Sequence, residues 1–108
     1  MAAYVYLMTN QYNTVFYVGV TVNLEKRVYE HKNEITGGFT SKYKAHKLVY
    51  YEIFDDLANA ILREKRIKAG SRKKKLELIL KVNPDFKDLS ITWEIASAAK
   101  GGLAMTAE

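Results

Sequence analysis

Two stretches near the start of the chain decide the fold, Tyr4-Val-Tyr-Leu-Met-Thr9 and Val15-Phe-Tyr-Val-Gly-Val-Thr21. Both are rich in β-branched and aromatic residues, which favour strands. Because only the polar residues 10–14 separate them, we predict that the two stretches form a β-hairpin.

Pairing Tyr6 with Tyr17 assigns the side chains of this hairpin to two faces, because successive side chains alternate across a strand. One face is apolar and typical of a core, and its members are Val5, Leu7, Phe16, Val18 and Val20. The other face gathers Tyr4, Tyr6 and Tyr17 beside Gly19, where the absence of a side chain leaves room.

A helix is predicted after the hairpin. Asn23 is a suitable N-cap, and the glycines at positions 37 and 38 end the helix after about residue 35. Since apolar residues dominate one stripe of this helix, the stripe faces inward, and Arg27 and His31 point toward protein rather than water. The stripe consists of Leu24, Arg27, Val28, His31 and Ile35.

A third strand and further helices are predicted later in the chain. Asp55 and Asp56 can cap a helix in which Glu64 interrupts an apolar stripe. Another helix is predicted to begin at Gly70 and Ser71 and to end at about Val82, because Pro84 disfavours helix at the preceding Asn83. The predicted elements are a strand at 47–54 and helices at about 57–69, 71–82 and 92–100.

The length of 108 residues, 48% of them hydrophobic, is enough for one modest core. We therefore expect a single domain at residues 1–100 and a flexible tail at 101–108. The absence of cysteine excludes disulfides, thiolate zinc sites and cysteine nucleophiles. No apolar run approaches the roughly 20 residues that span a bilayer, and the first residues do not resemble a signal peptide. We expect a soluble, cytoplasmic protein without a membrane partner.

The charge of the chain favours polyanionic partners, and nucleic acid above all. Seventeen Lys and Arg against twelve Asp and Glu give a net charge of +5. Eight of the thirteen residues from 63 to 75 are basic, which is typical either of a solvated helix face or of a phosphate-binding surface. We expect nucleic acid to bind at Arg63, Arg66, Lys68, Arg72, Lys73, Lys74 and Lys75.

Each polar group near the predicted core has an ordinary structural interpretation. A tyrosine in a strand packs, an arginine or histidine beside an apolar stripe extends to the rim, and Glu64 can pair with Arg63 or Lys68. Taken together, however, they match the needs of phosphodiester cleavage, in which water loses a proton and negative charge develops on phosphorus and the leaving oxygen. Tyr6, Tyr17 and His31 could orient or deprotonate the water, Arg27 could bind the phosphate, and Glu64 could hold one Mg²⁺ or Mn²⁺ ion.

The order of these residues resembles the GIY-YIG nuclease superfamily, and within it the small single-domain proteins similar to the N-terminal nuclease domain of an excinuclease. The first motif stands as Tyr4-Val5-Tyr6 and the second as Tyr17-Val18-Gly19. Arg27 follows ten residues after Tyr17, and His31 four residues later. The likeness covers residues 4 to about 89.

This resemblance implies an α+β fold, with a three-stranded antiparallel sheet flanked by helices. It also implies metal-dependent cleavage of nucleic acid strands. The catalytic residues of the family fall on Tyr6, Tyr17, Arg27, His31 and Glu64, and the metal carboxylate on Glu64.

Three positions depart from the family pattern. Tyr4 replaces the glycine of the first motif, and Val20 stands where some members carry a lysine. The asparagine that assists catalysis in some members has Asn83 as its nearest counterpart, although Asn83 before Pro84 is equally a helix stop.

The leading hypothesis is a divalent-metal-dependent endonuclease that acts on DNA, including branched or damaged forms. The alternative is a nucleic-acid-binding module of the same fold with weak or no catalysis. A third hypothesis is an adaptor whose tyrosines form a protein interface. Since phosphate contacts carry no sequence information directly, sequence specificity would come from nucleic acid shape or a protein partner.

Overall fold

The computed structural model describes residues 2–35 and 38–91, and for residues 39 and 40 it describes the backbone alone. In these residues the chain forms a three-stranded antiparallel sheet flanked by helices, which confirms the expected fold. The strand order is β2-β1-β3. The predicted helix at 92–100 and the tail at 101–108 lie outside the described residues. The elements are β1 (Ala3–Thr9), β2 (Phe16–Thr21), α1 (Leu24–Lys32), α2 (Gly38–Lys42), β3 (Lys47–Phe54), α3 (Leu57–Ala69) and α4 (Arg72–Val82).

Both faces of the sheet are covered. On one face, Val5 and Leu7 pack in a cluster that includes Ala60 and Ile67 of α3. On the other, the apolar residues of α1 pack against the side of β1 that carries Tyr6. The sheet therefore separates α3 from α1, and the tyrosine-bearing face is covered by α1.

The register of the hairpin differs from the predicted one. Tyr6 lies opposite Gly19 rather than Tyr17. The reason is the longer turn, in which Thr9 Oγ1 donates a hydrogen bond to the carbonyl of Val15 (2.6 Å) and the Asn10 side chain accepts from the backbone of Thr14 (2.8 Å). Since the shift is an even number of residues, every side chain keeps the predicted face.

Gly19 lies directly beneath the ring of Tyr6. A Cβ atom at position 19 would be 2.5 Å from both Cζ and Oη of Tyr6, well inside contact distance. The Tyr6 side chain is 1% exposed. Only glycine at position 19 therefore allows the tyrosine ring to lie in this place.

The helix starts follow the predicted caps. The side chains of Asn23, Asp56 and Ser71 each accept a hydrogen bond from a backbone N–H of the first turn, at 3.1, 2.8 and 3.2 Å. The bounds of β3 and α3 match the prediction.

The predicted end of α1 was wrong. The helix ends at Lys32, and Glu34 then adopts a positive φ of 58°, which turns the chain away. Ile35 is consequently 63% exposed and does not join the buried stripe. The short helix α2 was not predicted, because five residues are too few to show an apolar period.

Asn83 closes the outer edge of β3. Its Nδ2 donates to the carbonyls of Val49 (3.0 Å) and Lys87 (2.9 Å), and its Oδ1 accepts from the Lys87 N–H (3.0 Å). The backbone N–H of Leu89 donates to the carbonyl of Leu48 at 2.8 Å. The Asn83 side chain is buried, so its contacts agree with the interpretation of this residue as a helix stop.

We predict that Gly19→Ala lowers the free energy of unfolding by about 1–3 kcal/mol, the usual cost of overpacking. The cause is the clash with Tyr6, so the same substitution in a Tyr6→Leu background should cost less than about 0.5 kcal/mol. Urea unfolding followed by circular dichroism measures both values. Equal costs in the two backgrounds would show that another contact of Gly19 is responsible.

Candidate active site

Three of the predicted site residues form one aromatic cluster. Tyr6 of β1, Tyr17 of β2 and His31 of α1 meet on the α1 side of the sheet. Their ring centroids lie 6.1 Å (Tyr6 and Tyr17), 5.8 Å (Tyr6 and His31) and 5.2 Å (Tyr17 and His31) apart. A hydrogen bond of 2.9 Å joins Tyr6 Oη to His31 Nε2. Two strands and a helix therefore hold the three rings in one place.

The burial of this cluster sets its protonation. Burial, and then the neighbouring Tyr17, raises the pKa of Tyr6, so this phenol keeps its proton at neutral pH. Burial, and then the positive charge of Arg27, lowers the pKa of His31. The imidazole is therefore neutral at physiological pH, and it can accept a proton.

The cluster has one accessible member. Tyr6 and His31 are 1% and 3% exposed, whereas Tyr17 is half-buried. A molecule that approaches the face would meet Tyr17 first. Tyr6 and His31 lie beneath Tyr17 and pack against its ring.

Arg27 lies one turn before His31 on α1. Its side chain is 42% exposed, and Nη1 is 3.6 Å from Glu30 Oε1. Its charge acts on both Tyr6 and His31. The guanidinium is thus at the rim of the cluster, where its planar fork could bind a phosphate. Glu30 was not predicted to belong to the site, although its position three residues after Arg27 is typical of an ion pair on a helix.

Glu64 is placed on α3, the helix that covers the opposite face of the sheet. It is 9% exposed, and its Oε2 lies 3.0 Å from Lys68 Nζ. This is the ion pair across one turn that the structural interpretation of Glu64 expects. No group of three or more His, Cys, Asp or Glu able to hold a metal occurs among residues 2–35 and 38–91.

The donor set around Glu64 fits one hydrated hard cation and not a cage made of protein alone. Mg²⁺ keeps several waters and often binds through one or two carboxylates together with substrate phosphates. A single buried carboxylate beside an exposed lysine matches that description, since Lys68 is 64% exposed and can move away from Oε2.

Arg63 is engaged inside the fold. Its Nε and Nη2 each donate to Glu52 at 2.9 Å, and Tyr50 Oη donates to the same carboxylate. Burial raises the pKa of Glu52, but the hydrogen bonds from Arg63 and Tyr50 outweigh it and lower the pKa overall. This bidentate pair fastens α3 to β3 next to Glu64. The sequence did not indicate it, because Glu52 and Arg63 belong to different elements.

The other residues of the basic run differ in their contacts. Arg72 donates to the carbonyls of Asn13 (3.1 Å) and Thr14 (2.9 Å), and its guanidinium lies 4.8 Å from the centroid of Phe16. Lys75 Nζ donates to the carbonyl of Gly70 at 2.7 Å. The side chains of the remaining basic residues are exposed, and these are Lys65, Arg66, Lys68, Lys73 and Lys74.

A groove of about 600 Å³ lies between α3 and α4. Arg63, Arg66, Lys74 and Lys75 all line it, and Glu77 is its acidic member. Four of the seven basic residues expected to bind nucleic acid therefore share one concave surface.

Comparison with known proteins agrees with this architecture. Residues 2–77 match the model of the GIY-YIG catalytic domain. A UPF0213 protein of Syntrophus aciditrophicus is 42% identical over 83 residues, which cover 76% of this chain and 93% of that protein. A UPF0213 protein of Clostridium perfringens is 40% identical over 76 residues, covering 70% and 81%.

A solved structure is similar in fold. The solution NMR structure of a UPF0213 protein from Bacillus halodurans aligns with a TM-score of 0.53 at 22% identity, and the match covers 85% of this chain and 98% of that one. In the part of the chain that the structure describes, no helix is both long and apolar enough to cross a membrane.

We predict that His31 titrates below the ordinary imidazole pKa of about 6.5 when followed by NMR. Because folding lowers this pKa, protonation favours the unfolded chain, and His31 should reduce stability as the pH falls below about 6.5. Arg27→Gln should raise the pKa of His31, and Glu30→Gln should lower it, since the two charges act in opposite directions. A His46→Gln variant assigns the two histidine signals. Shifts of the same sign in both variants would contradict the arrangement.

Proposed function

Because the chain belongs to the GIY-YIG family, we propose that it is a divalent-metal-dependent endonuclease that hydrolyses phosphodiester bonds in DNA, including branched or damaged DNA. Members of this family are generally endonucleases that act on nucleic acid. The observation that carries the proposal is the meeting of Tyr6, Tyr17 and His31 on one face, with Arg27 at its rim.

Tyr17 is the residue best placed to take a proton from the attacking water. It is half-buried, so it can contact both the substrate and the buried rings. Neutral His31, which lies beneath Tyr17 with its Nε2 joined to Tyr6 Oη, is the alternative proton acceptor.

Tyr6 acts as a positioning residue. Its ring is enclosed over Gly19, and its hydroxyl is joined to His31. Burial keeps the pKa of Tyr6 above that of an exposed tyrosine, so it holds its proton throughout the reaction. Its task is to fix the orientation of the histidine and of Tyr17.

Arg27 binds the scissile phosphate. Its guanidinium can donate two parallel hydrogen bonds to phosphate oxygens, and these strengthen as negative charge develops on phosphorus. The neighbouring Glu30 holds the guanidinium by an ion pair of 3.6 Å. A phosphate that arrives would compete with this carboxylate for the same group.

Glu64 would hold the single Mg²⁺ or Mn²⁺ ion, with waters and phosphate oxygens completing its shell. When bound, such an ion neutralises charge on the phosphate and on the leaving oxygen. The bidentate pair between Arg63 and Glu52 keeps α3, and with it Glu64, at a fixed position against the sheet. To hold the ion through Oε2, Glu64 would have to give up its ion pair with Lys68.

The basic residues of α3 and α4 would contact the phosphates of the bound nucleic acid. Five of them, Arg63, Arg66, Lys74, Lys75 and Lys81, line the groove between the two helices. They supply a concave surface of predominantly positive charge, which attracts a phosphate backbone without reading its sequence. A protein partner would then supply any sequence specificity.

A second candidate function is a nucleic-acid-binding module of the same fold with weak or no catalysis. Two observations favour it. Val20 packs against the apolar cluster under α3 and offers no phosphate contact, and the carboxylate of Glu64 is paired with Lys68. An assay of plasmid, single-stranded and branched DNA, and of RNA, with Mg²⁺ or with a chelator, separates the two functions.

We predict that Tyr17→Phe slows cleavage by at least about a hundredfold while folding and affinity are nearly unchanged, because only one oxygen is lost. Tyr6→Phe should be milder, because it removes a positioning hydroxyl and leaves the Tyr17 hydroxyl in place. Single-turnover rates across pH measure both effects. If Tyr17→Phe cleaves at the rate and with the pH profile of the unaltered protein, Tyr17 is not the base, and His31 becomes the better candidate.

We predict that Glu64→Gln abolishes cleavage in Mg²⁺, because the metal-binding carboxylate is lost. Metal-free binding of DNA should be unchanged or slightly tighter, because the substitution removes a negative charge from a basic surface. Glu77→Gln on α4 is the matched control, since Glu77 is exposed and belongs to the groove rather than to the sheet-facing stripe. Undiminished cleavage by Glu64→Gln would show that Glu64 is not the metal ligand.

A further inference from the structure

A second basic concavity lies on the side of the molecule where the turn between β1 and β2 meets the end of α1 and the start of β3. It has a volume of about 490 Å³. Among its lining residues are two tyrosines, three lysines and a histidine, and none of them belongs to the basic run on α3 and α4. We name it the lysine–tyrosine cleft after Tyr12, Tyr43, Lys32, Lys44, His46 and Lys47.

The aromatic side of the cleft is an exposed ring on a fixed turn. Tyr12 is 74% exposed. The turn that carries it is held from within by Asn10, whose Nδ2 donates to Thr14 Oγ1 at 2.7 Å, and from outside by the two hydrogen bonds of Arg72. The Tyr12 ring is therefore presented to solvent on a turn that several hydrogen bonds hold in place.

Tyr43 forms the second aromatic surface. It is 41% exposed, and the ammonium of Lys42 lies 5.4 Å from its ring centroid. An aromatic ring and a cation are thus adjacent on this side of the cleft as well.

The basic side of the cleft is ordered by two carboxylates. Glu34 accepts from Lys44 Nζ at 2.9 Å and lies 3.1 Å from His46 Nε2. Asp88 accepts from Lys32 Nζ at 2.5 Å and from Ser90 Oγ at 2.7 Å. Asp88 is the acidic residue among the described lining residues, and Glu34 pairs with Lys44 beside them, so three lysines against two carboxylates leave a net positive charge there.

The cleft adjoins the candidate active site. Lys32 directly follows His31 on α1, and the charge of His46 acts on His31. A chain of nucleotides that occupies the cleft would therefore continue toward the Tyr6, Tyr17 and His31 cluster.

We infer that the lysine–tyrosine cleft binds an unpaired strand of nucleic acid, with a base stacked on Tyr12 and phosphates held by the lysines. The inference rests on the proposed function, and it deepens that function by naming the substrate as nucleic acid with a single-stranded segment next to the cleavage site. Aromatic surfaces interleaved with cations bind single strands in this way.

The chemistry of Tyr12 favours an unpaired strand over a duplex. The faces of paired bases are already covered by their neighbours in the helix, so a base can stack on a protein ring only when it is released from the duplex. The groove between α3 and α4 offers charge and no exposed tyrosine among its lining residues, and it is better suited to a duplex backbone.

The experiment measures fluorescence anisotropy of labelled oligonucleotides of about 12 nucleotides, a length that fits one single-strand site. The probes are single-stranded DNA, single-stranded RNA and a DNA duplex of equal length, all in a chelator so that no cleavage occurs. Tyr12→Ala is compared with Tyr29→Ala, a matched tyrosine that is 62% exposed on α1 and does not line the cleft. Lys47→Gln is compared with Lys87→Gln, another lysine outside it.

We expect Tyr12→Ala to weaken single-strand binding about tenfold and duplex binding by less than about twofold. Lys47→Gln should reduce the slope of log affinity against log salt for the single strand by about 0.7, the loss of one phosphate contact. The tighter of the DNA and RNA probes identifies the sugar that the cleft accepts, and either preference supports the inference.

Equal single-strand affinities in Tyr12→Ala and Tyr29→Ala would overturn the inference, and so would equal losses for single strand and duplex. These outcomes are independent of the proposed function. A protein that loses single-strand binding in Tyr12→Ala yet cleaves nothing in Mg²⁺ would support the cleft and refute the endonuclease. A protein that cleaves DNA but binds single strands equally well in all four variants would support the endonuclease and refute the cleft.

Discussion

The contact between the Tyr6 ring and the backbone of Gly19 is the constraint on which the rest of the site depends. It places a tyrosine in the middle strand of the sheet with its hydroxyl at hydrogen-bond distance from His31, and so connects the hairpin to α1. A larger residue at position 19 would displace the ring and break this connection. The glycine is therefore required by packing, and the chemistry of the cluster follows from that packing.

Much of the fold could be predicted because its signals are local. The caps Asn23, Asp56 and Ser71 are each decided by one side chain and the next three residues. The hairpin register could not be predicted in the same way, since it depends on hydrogen bonds across the turn, such as the one from Thr9 to Val15. The end of α1 likewise depends on the positive φ of Glu34, which nothing in its residue type requires.

The candidate site was predictable to a different degree in each of its parts. Tyr6 and Tyr17 share a face under either register, because strand alternation survives a shift of two residues. The pair between Glu52 and Arg63 could not be foreseen, since β3 and α3 are brought together only by the complete fold. For the same reason the basic run, uniform in sequence, divides into residues that hold the fold and residues that face the solvent.

The clamp of Arg72 on the turn between β1 and β2 has a consequence for the order in which the molecule is assembled. Arg72 is 58 residues from Thr14, so this contact closes a long loop, whereas the hairpin itself is a local structure. On a ribosome, the hairpin emerges well before its clamp is synthesised. The strands can thus pair early, but the turn that displays Tyr12 acquires its final shape only with α4, and a shortened chain without that helix would leave the turn unfastened.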